Sequence, residues 1–187
     1  MSEARYWFPK PYADFVAKLR VPFGFLLLVM FACLSQPTLS SIAVGLPVSC
    51  LGLALRGWAA GHLAKNQQLA ISGPYAYIRN PLYAGTLVAA AGIVIACRNS
   101  WLAGVFAAVF LLAYLPVIEL EEQHLRNLFS EYGAYARRVH RLLPVHHWPG
   151  GTQRFSWRLY RRNEEYKAVI GFLIAVLWLL VKWQFWR

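Results

Sequence analysis

The run from Gly73 to Gly85 combines turn-forming residues, aromatic side chains and an arginine. Its Gly-Pro start predicts a turn. Asn80 suits the N-cap of a following helix, and Pro81 suits the first helical position. The free N–H groups and positive dipole end of such a helix attract carboxylates and phosphates. This run predicts either an anion-binding helix terminus or only a well-capped apolar helix, and its residues alone leave both interpretations open.

A second run, Glu119 to Leu143, has the pattern of an amphipathic helix on a membrane surface. At about 100° per residue, Glu121 falls on the apolar stripe together with Leu125. Glu122 then lies to one side and Glu119 roughly opposite, both towards more solvated directions. A carboxylate on an apolar face is costly unless it meets a cation or hydrogen-bond donors. The pattern predicts either a structural ion pair or a ligand-binding carboxylate at Glu121.

Other polar side chains offer less specific chemistry. Arg56 ends an apolar segment, and we expect its guanidinium to extend to the membrane interface. His62 is expected at the surface, and the adjacent His146 and His147 lack the acidic or cysteine partners of a metal site. The three cysteines are dispersed in apolar segments and predict neither a disulfide framework nor a zinc site. We therefore expect no metal centre, and no residue stands out as a catalytic base.

Five apolar segments must position these residues. Only 14% of the 187 residues are charged, compared with about 25% in soluble domains. No charged residue occurs between Val21 and Leu55, a stretch that a bilayer accepts more easily than a soluble fold. We predict an all-α polytopic membrane bundle of about five transmembrane helices, plus a cytoplasmic amphipathic helix. The predicted spans are Val21 to Ser35, Thr38 to Leu55, Leu82 to Cys97, Trp101 to Ile118 and Ala168 to Val181.

The basic residues set the predicted orientation. Sixteen of the nineteen lysines and arginines lie in the N-terminal region and in the two long loops, whereas the other side holds only Arg98, Lys182 and Arg187. Cytoplasmic segments of membrane proteins are enriched in basic residues. The N-terminus and both long loops are therefore predicted to be cytoplasmic, and the C-terminus external. This distribution explains the net charge of +11 without a nucleic-acid partner.

The chain length predicts a single membrane domain over residues 1–187, because five spans and their loops account for it. Pro144 to Gln153 is rich in Pro, His and Gly and predicts a linker. This linker separates a core, 20–144, from a C-terminal part, 145–187, that carries the fifth span. We predict no cleavable signal peptide, because mixed polar residues precede the first apolar run.

Together, the two runs resemble the isoprenylcysteine carboxyl methyltransferases and their relatives, the phospholipid N-methyltransferases. In that family a segment of type G-x-Y-x-x-x-R-[HN]-P-x-Y-x-G precedes a membrane hairpin, and the chain matches it from Gly73 to Gly85, with Asn80 at the His or Asn position. In the same family, paired glutamates, a Leu, a Phe, a Y-x-x-Y pattern and a Pro follow the hairpin. Their counterparts here are Glu121, Glu122, Leu125, Phe129, Tyr132, Tyr135 and Pro144. The resemblance covers roughly residues 61–144.

The resemblance implies an integral membrane enzyme that uses S-adenosyl-L-methionine without a Rossmann domain. It implies cofactor contacts from both runs and from the stretch before the first one. The implied cofactor-binding residues are Gln67, Gln68, Leu69, Ala70, Tyr75, Asn80, Pro81, Leu82, Tyr83, Glu121 and Glu122. The chemistry of the residues agrees, because the cofactor carries a carboxylate suited to a helix N-terminus and cationic groups suited to a shielded glutamate.

The resemblance thus predicts methyl transfer to a lipophilic or membrane-anchored substrate, which is a carboxylate or an amine. The reaction is expected at the cytoplasmic face of a membrane, and we predict that this is a bacterial inner membrane. The arginine that helps hold the prenylcysteine substrate has no counterpart before Glu121, where Val117 or a neighbour stands. The acceptor therefore stays open, as does the oligomeric state. The alternative is a non-enzymatic membrane protein, a lipid-binding or assembly subunit that retains the fold.

Overall fold

A computed structural model describes residues 7–149 and 151–185, and these residues form a bundle of helices. Arg5 and Arg187, which the orientation prediction uses, lie outside the described residues. Within the described ranges the chain forms no β-strand, which agrees with the all-α prediction. The α-helices are α1 (Lys10–Leu34), α2 (Leu39–Ala60), α3 (Pro81–Cys97), α4 (Ser100–Val109), α5 (Leu115–Leu128), α6 (Tyr132–Arg138), α7 (Trp157–Arg162) and α8 (Tyr166–Phe185).

Three helices are long and apolar enough to cross a membrane: α2, α8, and the continuous helix Ser100–Leu128 that joins α4 to α5. Helix α1 makes a fourth if its two halves, bent by 52°, form one span. Pro22 lies next to this bend, where its ring cannot fit a straight helix. The predicted third span forms α3, which has 17 residues. The prediction of a helical membrane bundle is confirmed, and the count of five spans stays a prediction.

Helices α2 and α3 form the most extensive helix pair of the bundle. Their backbones approach closely because small residues face each other. A Cβ added to Gly52 would lie 2.7 Å from Ala89 Cα, and one added to Gly85 would lie 2.7 Å from Gly52 O. Ser49 Oγ donates a hydrogen bond to Ala89 O at 2.8 Å. Small residues and hydroxyl hydrogen bonds of this kind are typical of helix pairs in membranes.

The link between α3 and α4 is short and locally determined. Arg98 adopts a left-handed conformation with φ of 52°, which ends α3. The Asn99 side chain then accepts hydrogen bonds from the N–H groups of Trp101 and Leu102, at 2.9 and 3.3 Å, and caps α4. The chain therefore reverses within two residues, and α3 is followed by the helix of the predicted hairpin.

The predicted amphipathic helix from Glu119 to Leu143 is not continuous. Helix α5 continues the apolar helix α4 through a π-helical turn, Phe110–Tyr114. It ends at Leu128, because Phe129 adopts an extended conformation with φ of −126°. Helix α6 then begins at Tyr132. Leu125 before the break still packs against the cluster that Tyr132 and Tyr135 form after it, so the break interrupts the helix without separating these apolar residues.

The C-terminal part returns along the bundle rather than standing apart from it. Near α7, Ser156 N donates to Gly61 O at 2.9 Å, which attaches this helix to the end of α2. In α8, Trp178 Nε1 donates to Ala32 O at 3.2 Å, close to the end of α1. The two contacts hold the C-terminal part against both α1 and α2.

We predict that Gly52→Ala lowers the free energy of unfolding by about 1–3 kcal/mol, because the new methyl group must push α2 and α3 apart. Thermal or denaturant unfolding in detergent measures this change. Gly171→Ala in α8 is the control, since nothing lies within 4 Å of its added Cβ. It should leave the stability unchanged or slightly higher. A Gly52→Ala protein as stable as the wild type would contradict direct backbone contact between the two helices.

Candidate functional site

A cavity of about 700 Å³ lies between the loops and the helices. Lining residues that come from the loops, such as Lys65, Ala70 and Arg79, are here called the loop end. Arg56 and Thr86, each about one turn or more inside its helix, are here called the helix end together with the side chains that they contact. Pockets of about 300–1,000 Å³ hold cofactors and drug-sized ligands. The cavity thus joins a loop layer to the interior of the bundle.

Nine of the eleven residues predicted for a cofactor line this cavity. They are Gln68, Leu69, Ala70, Tyr75, Asn80, Pro81, Leu82, Tyr83 and Glu121. The other two do not line it. Gln67 is exposed, and its side-chain amide lies against the guanidinium of Arg162, whereas Glu122 is buried. The fold therefore brings the two sequence runs to one place, and the cofactor role of their residues stays a prediction.

The two runs meet at the carboxylate of Glu122, which is 3% exposed. Its Oε1 accepts a hydrogen bond from Asn80 Nδ2 at 2.7 Å, and its Oε2 accepts one from Arg141 Nη2 at 2.9 Å. Arg79 Nε lies 3.5 Å from Oε1, an ion pair without a hydrogen bond. A buried carboxylate is costly unless cations and donors surround it, and here three side chains do so. This cluster fixes α5 against the start of α3.

Asn80 occupies the N-cap position of α3, as predicted, but its side chain does not cap the helix. Its amide donates to Glu122 instead, because a hydrogen bond to a charged acceptor is stronger than a neutral one. The backbone on this side is tied to the segment after α6. Arg79 N donates to His140 O at 2.9 Å, and Asn80 N donates to Arg141 O at 3.1 Å. The prediction of an Asn80 side-chain cap is therefore wrong.

The glutamates of α5 are buried differently from the prediction. Glu119 and Glu122 are each 3% exposed, whereas Glu121 is only half-buried. Glu119 accepts hydrogen bonds from the N–H groups of Trp7 and Phe8, at 2.7 and 3.2 Å. The prediction that Glu119 and Glu122 point towards solvent is wrong, because each finds donors that offset its burial.

Glu121 lines the cavity and has a different environment. Its Oε2 accepts a hydrogen bond from Tyr83 Oη at 3.0 Å. Within residues 7–149 and 151–185, the ion pairs of the protein involve other carboxylates. A carboxylate beside a partly buried cavity attracts a cationic group more strongly than one in water does. Glu121 is therefore the carboxylate of α5 that is placed to meet a ligand.

At the helix end, Arg56 and Glu165 form an ion pair through two hydrogen bonds. Arg56 Nε and Nη2 donate to the two carboxylate oxygens, the second at 3.1 Å, and Nη1 donates to Thr86 Oγ1. We expect Arg56 to extend to the membrane interface, and that position stays a prediction. The structure adds that Glu165 provides its counter-charge. Sequence analysis missed Glu165 and its neighbour Asn163, which also line the cavity. The available signal was a glutamate pair directly before an apolar segment, where a carboxylate needs a partner.

His62 is buried at 5% exposure, so its predicted surface position is wrong. Its Nδ1 lies 2.9 Å from Ser72 Oγ. The ring meets Trp58 and Phe155 edge-on, with ring centroids 6.5 and 6.3 Å apart. Burial lowers the pKa of His62 and so favours the neutral imidazole. The histidine anchors the loop after α2 to the turn before Tyr75.

A group of tyrosines forms another wall of the cavity. Tyr135 Oη donates to Tyr75 O at 2.7 Å. Tyr132 is also among the lining residues, and its hydroxyl is buried without a hydrogen-bond partner among the described residues. Burial raises the pKa of all three hydroxyls, so each remains protonated. A buried hydroxyl without a partner costs about 1–3 kcal/mol.

The described residues include no cluster of three or more His, Cys, Asp or Glu side chains that could hold a metal ion. His147 instead packs against the ring of Tyr77, with centroids 4.9 Å apart. The side chains that line the cavity include carboxylates, guanidinium groups, hydroxyls and the imidazole of His124.

The fold defines a helical membrane protein, and its cavity lies between loops and helices. The chain belongs to the phospholipid methyltransferase family, whose sequence profile matches residues 39–132. The matched region extends from the start of α2 to the start of α6, and it contains most residues that line the cavity. This match confirms the resemblance that the runs Gly73–Gly85 and Glu119–Leu143 indicate.

Two curated relatives cover part of the chain. The cobalt-zinc-cadmium resistance protein CzcN of Cupriavidus metallidurans is 34% identical over 105 residues, which are 53% of this chain and 49% of that protein. The nickel-cobalt-cadmium resistance protein NccN of Alcaligenes xylosoxydans xylosoxydans is 33% identical over the same length and the same shares. The alignments thus span about half the length of each relative. No solved structure matches the chain significantly.

We predict that Glu122→Gln lowers the free energy of unfolding by about 3 kcal/mol, because Arg79 and Arg141 then share a buried site without a counter-charge. Unfolding in detergent measures the loss. Glu131→Gln, at an exposed position before α6, is the matched control and should be neutral. If both variants unfold like the wild type, Glu122 does not hold the two runs together.

Proposed function

We propose that this protein transfers a methyl group from S-adenosyl-L-methionine to a lipophilic or membrane-anchored acceptor, a carboxylate or an amine. The observation that carries the proposal is the cavity in which the two sequence runs meet, with Glu121 on its wall. Membership of the phospholipid methyltransferase family supports the reaction type. A cavity that joins a loop layer to the bundle interior also suits one soluble and one lipophilic reactant.

The residues of the cavity fit this cofactor. Glu121 would hold its cationic groups. The first backbone N–H groups of α3 would hold its carboxylate, because the start of a helix leaves them without intrahelical partners. When bound, S-adenosyl-L-methionine supplies an electrophilic methyl group on a sulfonium ion.

The protein's own residues would contribute alignment and the exclusion of water. An in-line displacement requires the acceptor and the methyl group to be held in a fixed geometry. Tyr83 Oη orients Glu121 through its hydrogen bond, and Leu82 and Val117 supply apolar walls that limit access of water. A carboxylate acceptor needs no base, whereas an amine acceptor must first lose a proton. Both acceptor classes therefore stay within the proposal.

A second candidate is a non-enzymatic membrane protein that binds lipid or supports an assembly. The names of both curated relatives favour keeping it, because they refer to metal resistance and not to methyl transfer. Such a protein would have no need to bind the cofactor. Cofactor binding therefore separates the two candidates.

The deciding experiment has two parts. Isothermal titration of the purified protein with S-adenosylhomocysteine measures binding, and incubation with methyl-labelled cofactor and total membrane lipid extract measures transfer. We expect saturable binding and a labelled lipid product that depends on the protein. A folded protein that binds no S-adenosylhomocysteine and labels no lipid would support the second candidate and contradict the first.

We predict that Glu121→Gln weakens the affinity for S-adenosylhomocysteine by about 10- to 100-fold, equivalent to about 1.4–2.8 kcal/mol. The substitution keeps the shape of the side chain and removes the charge that faces the cavity. Titration calorimetry on purified, folded variants measures it. The exposed Glu131→Gln variant should bind like the wild type. If Glu121→Gln also binds normally, Glu121 is not part of the cofactor site.

The proposed orientation places the N-terminus and both long loops in the cytoplasm and the C-terminus outside a bacterial inner membrane. Its support is the concentration of basic residues on one side, and the cavity's loop end would then meet the cytoplasmic pool of cofactor. We predict that an alkaline phosphatase reporter fused after Arg187 is active, and that a fusion in the loop after α2, at Lys65, is inactive. An inactive C-terminal fusion with normal expression would contradict five spans.

A further inference from the structure

One wall of the cavity comes from a segment outside the region matched by the family. This segment, residues 154–167, is here called the C-terminal wall. Asn163 Nδ2 donates to the carbonyl oxygens of Ala60 and Leu63, at 2.9 Å each. Ala60 is the last residue of α2, and Leu63 lies in the loop that follows it. Together with the backbone hydrogen bond of Ser156 to Gly61, these hydrogen bonds fasten the wall to the end of α2. The segment is thus a fixed part of the cavity.

Glu165 is the charged residue that the C-terminal wall places in the cavity. It is 6% exposed and lines the cavity together with Asn163. Its carboxylate binds both Nε and Nη2 of Arg56. A carboxylate that accepts two parallel hydrogen bonds from one edge of a planar guanidinium fixes the orientation of that group. Without Glu165, Arg56 would keep only its contacts to α3.

The hydrogen bonds of Arg56 leave part of its donor capacity unused. A guanidinium carries five N–H donors. Two bind Glu165, and Nη1 donates to Thr86 Oγ1 and, at 3.4 Å, to Leu82 O. The described contacts therefore use at most four of the five. Arg56 keeps a side-chain exposure of 24% in a site that also has apolar lining residues.

The cavity also has apolar lining residues. They include Ala17 of α1 and Val117 of the long helix, besides the aromatic Tyr114. A guanidinium with an unused donor in a partly apolar cavity matches a lipophilic molecule whose polar head enters the protein while its chain remains among apolar residues. Polar residues of the loop after α2, such as Lys65 and Gln68, line the cavity as well. The cavity therefore offers surfaces for a polar and for a lipophilic reactant.

We propose that the helix end is the acceptor site and that the C-terminal wall determines which acceptor it takes. This inference rests on the proposed function. The acceptor recognised is a lipophile whose head group carries an acceptor oxygen for Arg56. Glu165 is a positioning residue that holds the guanidinium of Arg56 towards that head group, and Asn163 holds the wall on α2. The residue that recognises the acceptor, Arg56, lies within the matched residues 39–132, whereas Glu165 and Asn163, which position it, lie outside them.

The test compares Glu165→Gln with Glu164→Gln. Glu164 is the adjacent carboxylate, exposed and paired only with Lys167 among the described ion pairs, so it is a matched control. For each purified variant we would measure S-adenosylhomocysteine affinity by calorimetry and methyl transfer over a range of total lipid extract. We expect Glu165→Gln to keep its cofactor affinity within about twofold and to need about tenfold more extract for half-maximal transfer. Glu164→Gln should match the wild type in both.

Arg56→Lys supplies a second variant with the same expected result. Lysine keeps the positive charge but cannot bind both oxygens of Glu165 in a planar pair. It should therefore also raise the lipid requirement without changing cofactor affinity by more than about twofold. An equal loss of cofactor affinity and transfer in both variants would overturn the inference, because the pair would then serve the cofactor site or the fold. An unchanged lipid requirement would overturn it as well.

A readout independent of catalysis separates this inference from the proposed function. We would measure the unfolding temperature of each variant with and without the same lipid extract. We expect the extract to raise it for the wild type and for Glu164→Gln, and not for Glu165→Gln. This pattern of stabilisation would support a lipid-binding site at Arg56 and Glu165 even without methyl transfer. If no methyl group is transferred, the proposed function fails and the lipid site remains. Equal stabilisation of all three proteins, or of none, would overturn the inference.

Discussion

The site depends on one constraint: the carboxylate of Glu122 is buried and must be surrounded by cations and hydrogen-bond donors. Asn80, Arg79 and Arg141 meet that requirement, and they come from the start of α3 and from the segment after α6. Because the carboxylate is costly to bury alone, these segments can only pack in the arrangement that brings the donors together. The cavity walls follow from this arrangement.

The same constraint gives adjacent glutamates different roles. Glu122 is fully engaged by its partners, so its charge is compensated within the protein. Glu121 points to the cavity and shares a hydrogen bond with Tyr83. At the helix end, Arg56 and Glu165 compensate each other. None of the ion pairs among the described residues involves Glu121, so the α5 side of the cavity carries a negative charge. Such a charge suits the cationic groups of the proposed cofactor.

Local sequence signals predicted the helices and the limits of several of them. Pro81 marks the start of α3, because a proline at the first helical position acts on its own neighbours. The partners of Asn80 and Arg56, and the burial of His62, could not be predicted in this way. Each depends on a residue distant in the chain. The exposure of two glutamates of α5 was misjudged for the same reason, because Trp7 and Phe8 bind Glu119 and Asn80 binds Glu122.

The account makes one claim above all: the structural carboxylate Glu122 and the ligand-facing carboxylate Glu121 act separately within one site. An experimental structure of the protein with S-adenosylhomocysteine bound tests it most directly. The account predicts density for the ligand in the cavity beside Glu121, while Glu122 keeps its contacts with Asn80 and Arg141. Density at another place, or a ligand bound to Glu122 after its release from these partners, would contradict it.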